Sequence, residues 1–547
     1  MENSTLSKRL SLILFVTLTV SLLLAIWAKD HYLWMDEVIS YVLLSDPSLE
    51  HANRAIVSSL DASPPLFANV YWLLAQGVSL NVLFLKGVSI ALFAFTLAWF
   101  FRYVSNGRLV SRLSRRFVAV NFVLILVAVS LTYQNYTLST QLRTYSLYLL
   151  LSWAFVVVLH NLIHEPHRRR WWLAFGLVGT LLLFSHNIAL FYIAGSGVFF
   201  GLLWLVTTDR RYVGVLALHA GLGLIWLLFW YPSFSIQSQV GKPHSWIPLP
   251  TFLSTFQTIG DLLPSVSSRL QEQYPLLLLL RVGAVALLCL TVAISRGRSL
   301  SWSVRRDRAF SLYVLSGFLV GFTLLISLVI SFTYTSVFLN RYFWPSGLLL
   351  LYQLLYAGWW LRDQATARRS ALANAIVQPL AGVFHGLKRQ PALAWASLTV
   401  FIGLIGTFMF EQCRKIPLFD GAIRQDVALL PTNRPVIFES AYYFLPIWFQ
   451  QRERSVYYLF NWPAVTDPRN PLASTTDFKI LEGLAQHYHP ANVTELSTFR
   501  NRQPGLFYVV DEQSRYLIED FVAKGQVKVR RVIPAHVAGH RILECSF

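Results

Sequence analysis
The chain has 547 residues, is 55% hydrophobic and only 13% charged, and carries a formal charge of +19. Soluble globular chains carry about 25% charged residues, so a soluble enzyme is excluded and a polytopic membrane protein is indicated. The Arg residues sit in short stretches between apolar runs, which is the positive-inside pattern of membrane proteins and not a nucleic-acid surface.

Apolar runs of spanning length, about 20 residues for a helix, occur at 10–28, 85–103, 117–133, 144–160, 171–189, 190–207, 213–231, 275–294, 309–331, 342–361 and 393–411. The first leads directly into Lys29-Asp30-His31-Tyr32-Leu33-Trp34-Met35-Asp36-Glu37. Two adjacent carboxylates beside Tyr32 and Trp34 read either as a solvated interfacial anchor or as the start of a site. Pro65–Leu80 is apolar but short, opens on Pro64-Pro65 and carries Asn69 and Gln76, so it is expected to lie along the membrane surface. Counting it as a span would turn the Arg102–Arg116 stretch to the outer side and break the charge rule. Eleven spans then put the N-terminus in the cytoplasm and the first outer loop at residues 29–84.

That parity gathers one set of polar groups on the outer face. They are Asp36-Glu37, Asp61, Gln141-Leu142-Arg143-Thr144-Tyr145, His186, Lys242 and His244 in the 232–274 loop, and Asn340-Arg341-Tyr342. Polar clustering in an apolar chain points to a site. From about Glu411 the apolar runs shorten to strand length, at 436–438, 456–460, 506–510, 527–532 and 541–543, with helical patterns at 480–488 and 514–523. This alternation predicts a small α/β domain over 412–547, following a membrane domain over 1–411. About 135 residues suffice to bury a core of their own. It has no Gly-rich phosphate loop and is expected to cap the outer face. Cys413 and Cys545 flank this domain and are candidates for a disulfide if it lies outside the cell.

Taken together, the outer-loop Asp36-Glu37, the Pro64-Pro65 pair, Arg143-Thr144-Tyr145 and Arg341-Tyr342 resemble the GT-C superfamily of membrane glycosyltransferases over roughly residues 10–365. The chain looks most like the family 39-like branch that contains protein O-mannosyltransferases and lipid A aminoarabinose transferases. The resemblance implies an EC 2.4-type, mannosyltransferase-like enzyme of a cell-envelope glycan. Its donor would be a polyprenyl-phosphate-linked sugar, and its acceptor a hydroxyl of an extracytoplasmic glycan, lipid or protein. Configuration would invert. Membrane lipid is the other expected partner, and no nucleic acid is. The expected location is a bacterial inner membrane.

The resemblance also implies roles. Asp36 would be the base toward the acceptor, and Glu37 would orient the acceptor or help hold a metal. Arg341, Arg143, Lys242, His244 and Tyr342 would meet the donor phosphate, because guanidinium suits bidentate phosphate binding. Snorkelling at the membrane edge is the plain alternative for both arginines. Asp61, Gln141, Tyr145 and His186 would serve the acceptor side. Asp61 also reads as a helix cap, and a lone His is commonly a satisfied polar residue. Gln141 stands where the family often has Glu. An amide is a poor ligand for a divalent ion, so a metal cofactor rests only on Glu37 and His186, and no other cofactor is expected. A flippase for a lipid-linked glycan is the rival from another class, although the spans lack the Asp and Glu residues such a path would need. An inactive GT-C-like scaffold is the third reading.

Overall fold
The computed structural model describes residues 2–29, 33–107, 109, 114–240, 245–265, 274–296, 304, 306–368, 391–416, 419, 421–470, 475–512 and 515–547. Tyr32, Lys242 and His244 lie outside the described residues.

Helices dominate up to residue 415. In chain order they are α1 (Glu2–Trp27), α2 (Met35–Ser45), α3 (Leu49–Val57), α4 (Leu66–Gly77), α5 (Val82–Val104), α6 (Arg115–Ser130), α7 (Tyr133–Leu138), α8 (Tyr145–His164), α9 (Arg169–Leu183), α10 (Ala189–Thr207), α11 (Arg210–Phe229), α12 (Tyr231–Val240) and α13 (Phe252–Asp261). Helices Pro275–Arg296, Arg308–Thr333, Trp344–Arg368 and Pro391–Lys415 follow. Among the described residues, 8 helices are long and apolar enough to cross a membrane: α1, α5, α8, α10, α11 and those within 275–296, 308–333 and 391–415. The other three expected spans are helical but fall short of that standard. α6 has 16 residues and α9 has 15. Helix 344–368 is diluted by Trp-Pro-Ser-Gly at its start and by Gln353.

α4 has only 12 residues, or about 18 Å at 1.5 Å per residue, against about 30 Å of hydrocarbon. It therefore cannot span. With α2 and α3, against which it packs, it forms a layer of short helices in the segment that joins α1 to α5, while α1 and α5 pack directly on each other. Asn81 caps α5, accepting from the Leu83 and Phe84 N–H groups.

After the helix Pro391–Lys415 comes a six-stranded sheet in the order β3-β2-β1-β4-β6-β5. Its strands are β1 (Val436–Phe438), β2 (Val456–Phe460), β3 (Val493–Glu495), β4 (Phe507–Glu512), β5 (Lys528–Pro534) and β6 (His540–Ser546). β1 to β4 run parallel, while β6 pairs antiparallel with β4 and with β5. The chain proceeds outward from β1 to β3 and then returns to β1's other side with β4, so the direction of winding switches between β1 and β4. Glu439 ties the two strand ends together by accepting from Glu512 N at 2.8 Å and Ile518 N at 2.7 Å. Burial, then Asp511 and Glu519, raise its pKa well above the usual carboxylate range.

The sheet unit docks on the short-helix layer. Tyr488 Oη donates to Asp46 at 2.7 Å, His487 Nε2 meets Ser58 Oγ at 2.7 Å, and Phe449 packs edge-on against Tyr41 with centroids 5.0 Å apart. Cys413 and Cys545 are both buried and free, which corrects the expected disulfide. Cys413 lies on a long helix beside Lys29, and Cys545 lies in β6 inside the sheet's own apolar core.

Candidate active site
The first turn of α2 starts at Trp34, whose backbone N–H donates to the Glu37 carboxylate three residues on, at 3.3 Å. Acidic groups in a first helical turn also complement the helix dipole. Adjacent helix residues project about 100° apart, and Asp36 and Glu37 accordingly go to different places. Glu37 is fully buried, and its Oε1 accepts from Lys86 Nζ at 2.8 Å and from Leu142 N at 2.7 Å. It anchors α2 to α5 and to the strand of chain before α8. Asp36 instead lines a cavity of about 550 Å³.

Arg143 fixes the floor of that cavity. Its Nη1 donates to Asp61 Oδ2 at 2.7 Å and its Nη2 to Asp61 Oδ1 at 3.2 Å, a bidentate pair. Nη1 also reaches Ser40 Oγ at 3.1 Å. Asp61 Oδ1 accepts from Ser63 N as well, at 2.9 Å, which closes the turn leading to Pro64-Pro65. Burial opposes the Arg143 charge, but Asp61 and Asp36 outweigh it, so its pKa is raised and it stays cationic.

Arg341 enters from the 3-10 turn Asn340–Phe343. Its guanidinium carbon lies 5.0 Å from the Trp246 ring centroid, 5.5 Å from Trp34 and 5.7 Å from Tyr342. Its Nη1 is 3.8 Å from Asp36 Oδ2, and Arg143 Nε is 4.0 Å from the same oxygen. Both separations are ion-pair distances beyond hydrogen bonding. The Nε atoms of Arg143 and Arg341 are each buried without a hydrogen-bond partner among the described residues. Two guanidinium groups thus flank one carboxylate oxygen, and neither is saturated.

His186 lines the same cavity, stacked on Tyr148 with centroids 4.7 Å apart and edge-on to Tyr342 at 5.1 Å. Its Nδ1 accepts from Ile188 N at 3.1 Å. With Nδ1 accepting that hydrogen bond, the proton of the neutral ring resides on Nε2. Tyr145 and Tyr342 complete this wall.

No family model matches the sequence, and no curated protein matches it. In three dimensions the chain is similar to the crystal structure of ArnT from Cupriavidus metallidurans in the apo state. The sequence identity is 13% and the TM-score 0.48, with 98% of this chain and 96% of that one covered.

Asp36, Asp61, Arg143, Tyr145, His186, Arg341 and Tyr342, drawn from widely separated segments, therefore line one cavity. Gln141 is buried and not among its lining residues, and its Oε1 has no partner among the described residues. Glu37 does not line it either. The two residues named for a metal do not fit one: Glu37 is committed to Lys86 and a backbone N–H, and the His186 Nδ1 lone pair is taken. Among the described residues, Glu439, Asp511 and Glu519 bring carboxylate oxygens within 4.8 Å of one another. They stand at the sheet and not in this cavity, and Arg541 pairs with both Asp511 and Glu519.

Several contributors carry no sequence signal as site residues. Lys86 lies inside the apolar 85–103 run, and nothing local links it to Glu37. Asn187 and Gln237 hold the rim through backbone contacts, to Ala62 O at 2.8 Å and Asp61 O at 3.0 Å. Tyr442, Thr476, Asp477, Ile480 and Arg515 come from the sheet unit, and no local signal in the sequence associates them with residues near the membrane.

Proposed function
We propose that this protein is an integral-membrane glycosyltransferase that moves a sugar from a polyprenyl-phosphate donor to a hydroxyl of an extracytoplasmic acceptor, with inversion. The observation that carries this reading is the trio of Asp36, Arg143 and Arg341. A carboxylate oxygen stands 3.8–4.0 Å from two guanidinium groups whose Nε donors have no partner among the described residues. Such a place accommodates an anionic leaving group beside a base. In this reading the polyprenyl chain lies along the membrane-length helices.

In the proposed reaction the acceptor oxygen attacks the anomeric carbon from the face opposite the phosphate. Its proton passes to Asp36. The bond from the anomeric carbon to the phosphate oxygen breaks, and the electron pair stays on that oxygen, where Arg341 stabilises it. Polyprenyl phosphate is a stable anion once paired with a cation, so it needs no second carboxyl group to protonate it, unlike the leaving group of a glycosidase. Arg143 is spent mainly on Asp61, so its role is to hold the floor and add positive potential. His186 Nε2–H supplies a neutral donor. Glu37, locked to Lys86, positions Asp36 from behind and does not touch substrate.

The proposed topology keeps eleven spans, a cytoplasmic N-terminus, a bacterial inner membrane and an extracytoplasmic site. An Arg116→Cys variant should then be labelled only from the cytoplasmic side. The function is tested by transfer in proteoliposomes of purified protein, using radiolabelled polyprenyl-phosphate sugars and an envelope extract as acceptor. Labelled product is expected. Accumulation of donor on the opposite leaflet without transfer would identify a flippase and overturn the proposal.

A further inference from the structure
The cavity has two walls of different character. The membrane wall holds Arg143 and Arg341, whose charges Asp61 and Asp36 balance, and it suits an anion through their buried Nε donors, which have no hydrogen-bond partner among the described residues. The other wall belongs to the sheet unit, and its residues follow the carboxyl ends of parallel strands. Tyr442 follows β1, Thr476 and Asp477 follow β2, and Arg515 follows β4. In open parallel sheets, ligands bind outside the carboxyl ends at the point where winding direction switches, and here that point lies between β1 and β4.

The chemistry of this wall differs from that of the floor. Arg515 is clamped on two sides, with Nε donating to Glu512 Oε2 at 2.8 Å and Nη1 to Asp477 Oδ2 at 3.0 Å. Asp477 is itself held by Ala441 N at 3.3 Å. One guanidinium against two carboxylates leaves no net positive charge, so the wall does not attract a phosphate. It presents fixed polar groups, the Thr476 hydroxyl and the half-buried Tyr442 ring. A hydroxyl exchanges hydrogen bonds with a sugar hydroxyl, and an aromatic face takes the C–H side of a sugar ring, while the Asp477–Arg515 pair holds these groups in place.

We infer that the C-terminal α/β unit is the acceptor-binding half of the active site, and that its Tyr442–Thr476–Asp477–Arg515 wall binds a neutral carbohydrate unit of the acceptor. This rests on the proposed transfer reaction for the meaning of "acceptor". The binding itself is testable without turnover. The unit is thus a specificity element that sets which hydroxyl meets Asp36.

The test uses the full chain in nanodiscs with two defined probes. Undecaprenyl phosphate binding is read by native mass spectrometry. Methyl glycosides of the common hexoses, and a Ser/Thr-containing peptide, are read by saturation-transfer NMR. At least one methyl glycoside should give a signal in wild type and in Arg341→Ala. That signal should fall about tenfold or more in Thr476→Trp, which fills the wall, and in Tyr442→Ala, which strips it. Undecaprenyl phosphate should behave oppositely, bound by both wall variants and weakened in Arg341→Ala. Retained lipid binding also certifies that each wall variant is folded. Absence of any glycoside signal, a signal indifferent to both wall variants, or a signal from the peptide alone would overturn the inference. Failure of undecaprenyl phosphate to bind wild type would instead remove the donor reading and leave the glycoside result to stand on its own.

Discussion
Replacing Asp36 by Asn separates the two jobs assigned to the cavity. The amide is nearly isosteric with the carboxylate but cannot take a proton. General-base catalysis contributes about 10²–10⁴-fold, or roughly 3–5 kcal/mol, and turnover should fall by that much. The geometry also gives the sign of a second effect. Asp36 Oδ2 lies 3.8 Å from Arg341 Nη1 and 4.0 Å from Arg143 Nε. At an effective dielectric of about 20, two unit charges about 4 Å apart attract by roughly 4 kcal/mol. Asp36 therefore offsets much of the local positive field, and neutralising it leaves two guanidinium groups facing the incoming phosphate. Donor affinity should be unchanged or tighter, by up to about tenfold, which is roughly 1.4 kcal/mol. The assay is single-turnover transfer by purified, donor-loaded protein, paired with native mass spectrometry of undecaprenyl phosphate binding. Wild-type transfer by Asp36→Asn would refute Asp36 as base. A loss of binding as large as the loss of rate would refute the electrostatic argument.

Two further outcomes follow from named contacts. Arg341→Ala should weaken undecaprenyl phosphate binding about 10²-fold, the loss of charge-assisted hydrogen bonds worth roughly 1.5–3 kcal/mol each, and Arg341→Lys should recover part of it; equal affinity in wild type and Ala would take Arg341 out of the site. Lys86→Met leaves the fully buried Glu37 carboxylate without its cation, so it should cost about 3–5 kcal/mol, while the Lys86→Met/Glu37→Gln double variant regains most of that; thermal unfolding in detergent measures both, and a Lys86→Met protein as stable as wild type would contradict the pairing.

What the sequence by itself determined was mostly a matter of local physics. Runs such as 10–28 and 85–103 have no way to satisfy their backbone in lipid except as helices, and they are helices. Pro65–Leu80 announced a short element by its opening prolines, and 12 residues do not reach across a bilayer. β2 and β4 were legible as β-branched and aromatic runs. Three-residue β3 was not, because an edge strand that short carries no period, and the helix Ala441–Gln450 was hidden by Pro446.

The candidate site divides the same way. Polar residues at helix ends stand out in an apolar chain, which is why Asp36, Asp61, Arg143, His186 and Arg341 could be named before any fold was known. Their partners could not. Asp36 and Glu37 are neighbours of one charge type, and only the rotation of α2 against α5 decides that Glu37 meets Lys86 inside while Asp36 faces the cavity. The same holds for Arg143, whose sequence reads as a free phosphate ligand until the 61–63 turn is folded beneath it and Asp61 occupies its fork. The contribution of Tyr442, Thr476 and Arg515 lay furthest from sight. These residues follow different strands of one sheet, and what brings them opposite Arg341 is the docking of Tyr488 on Asp46 and of Phe449 on Tyr41. Those contacts join segments hundreds of residues apart, and they depend on complementary surfaces that exist only after both units have folded.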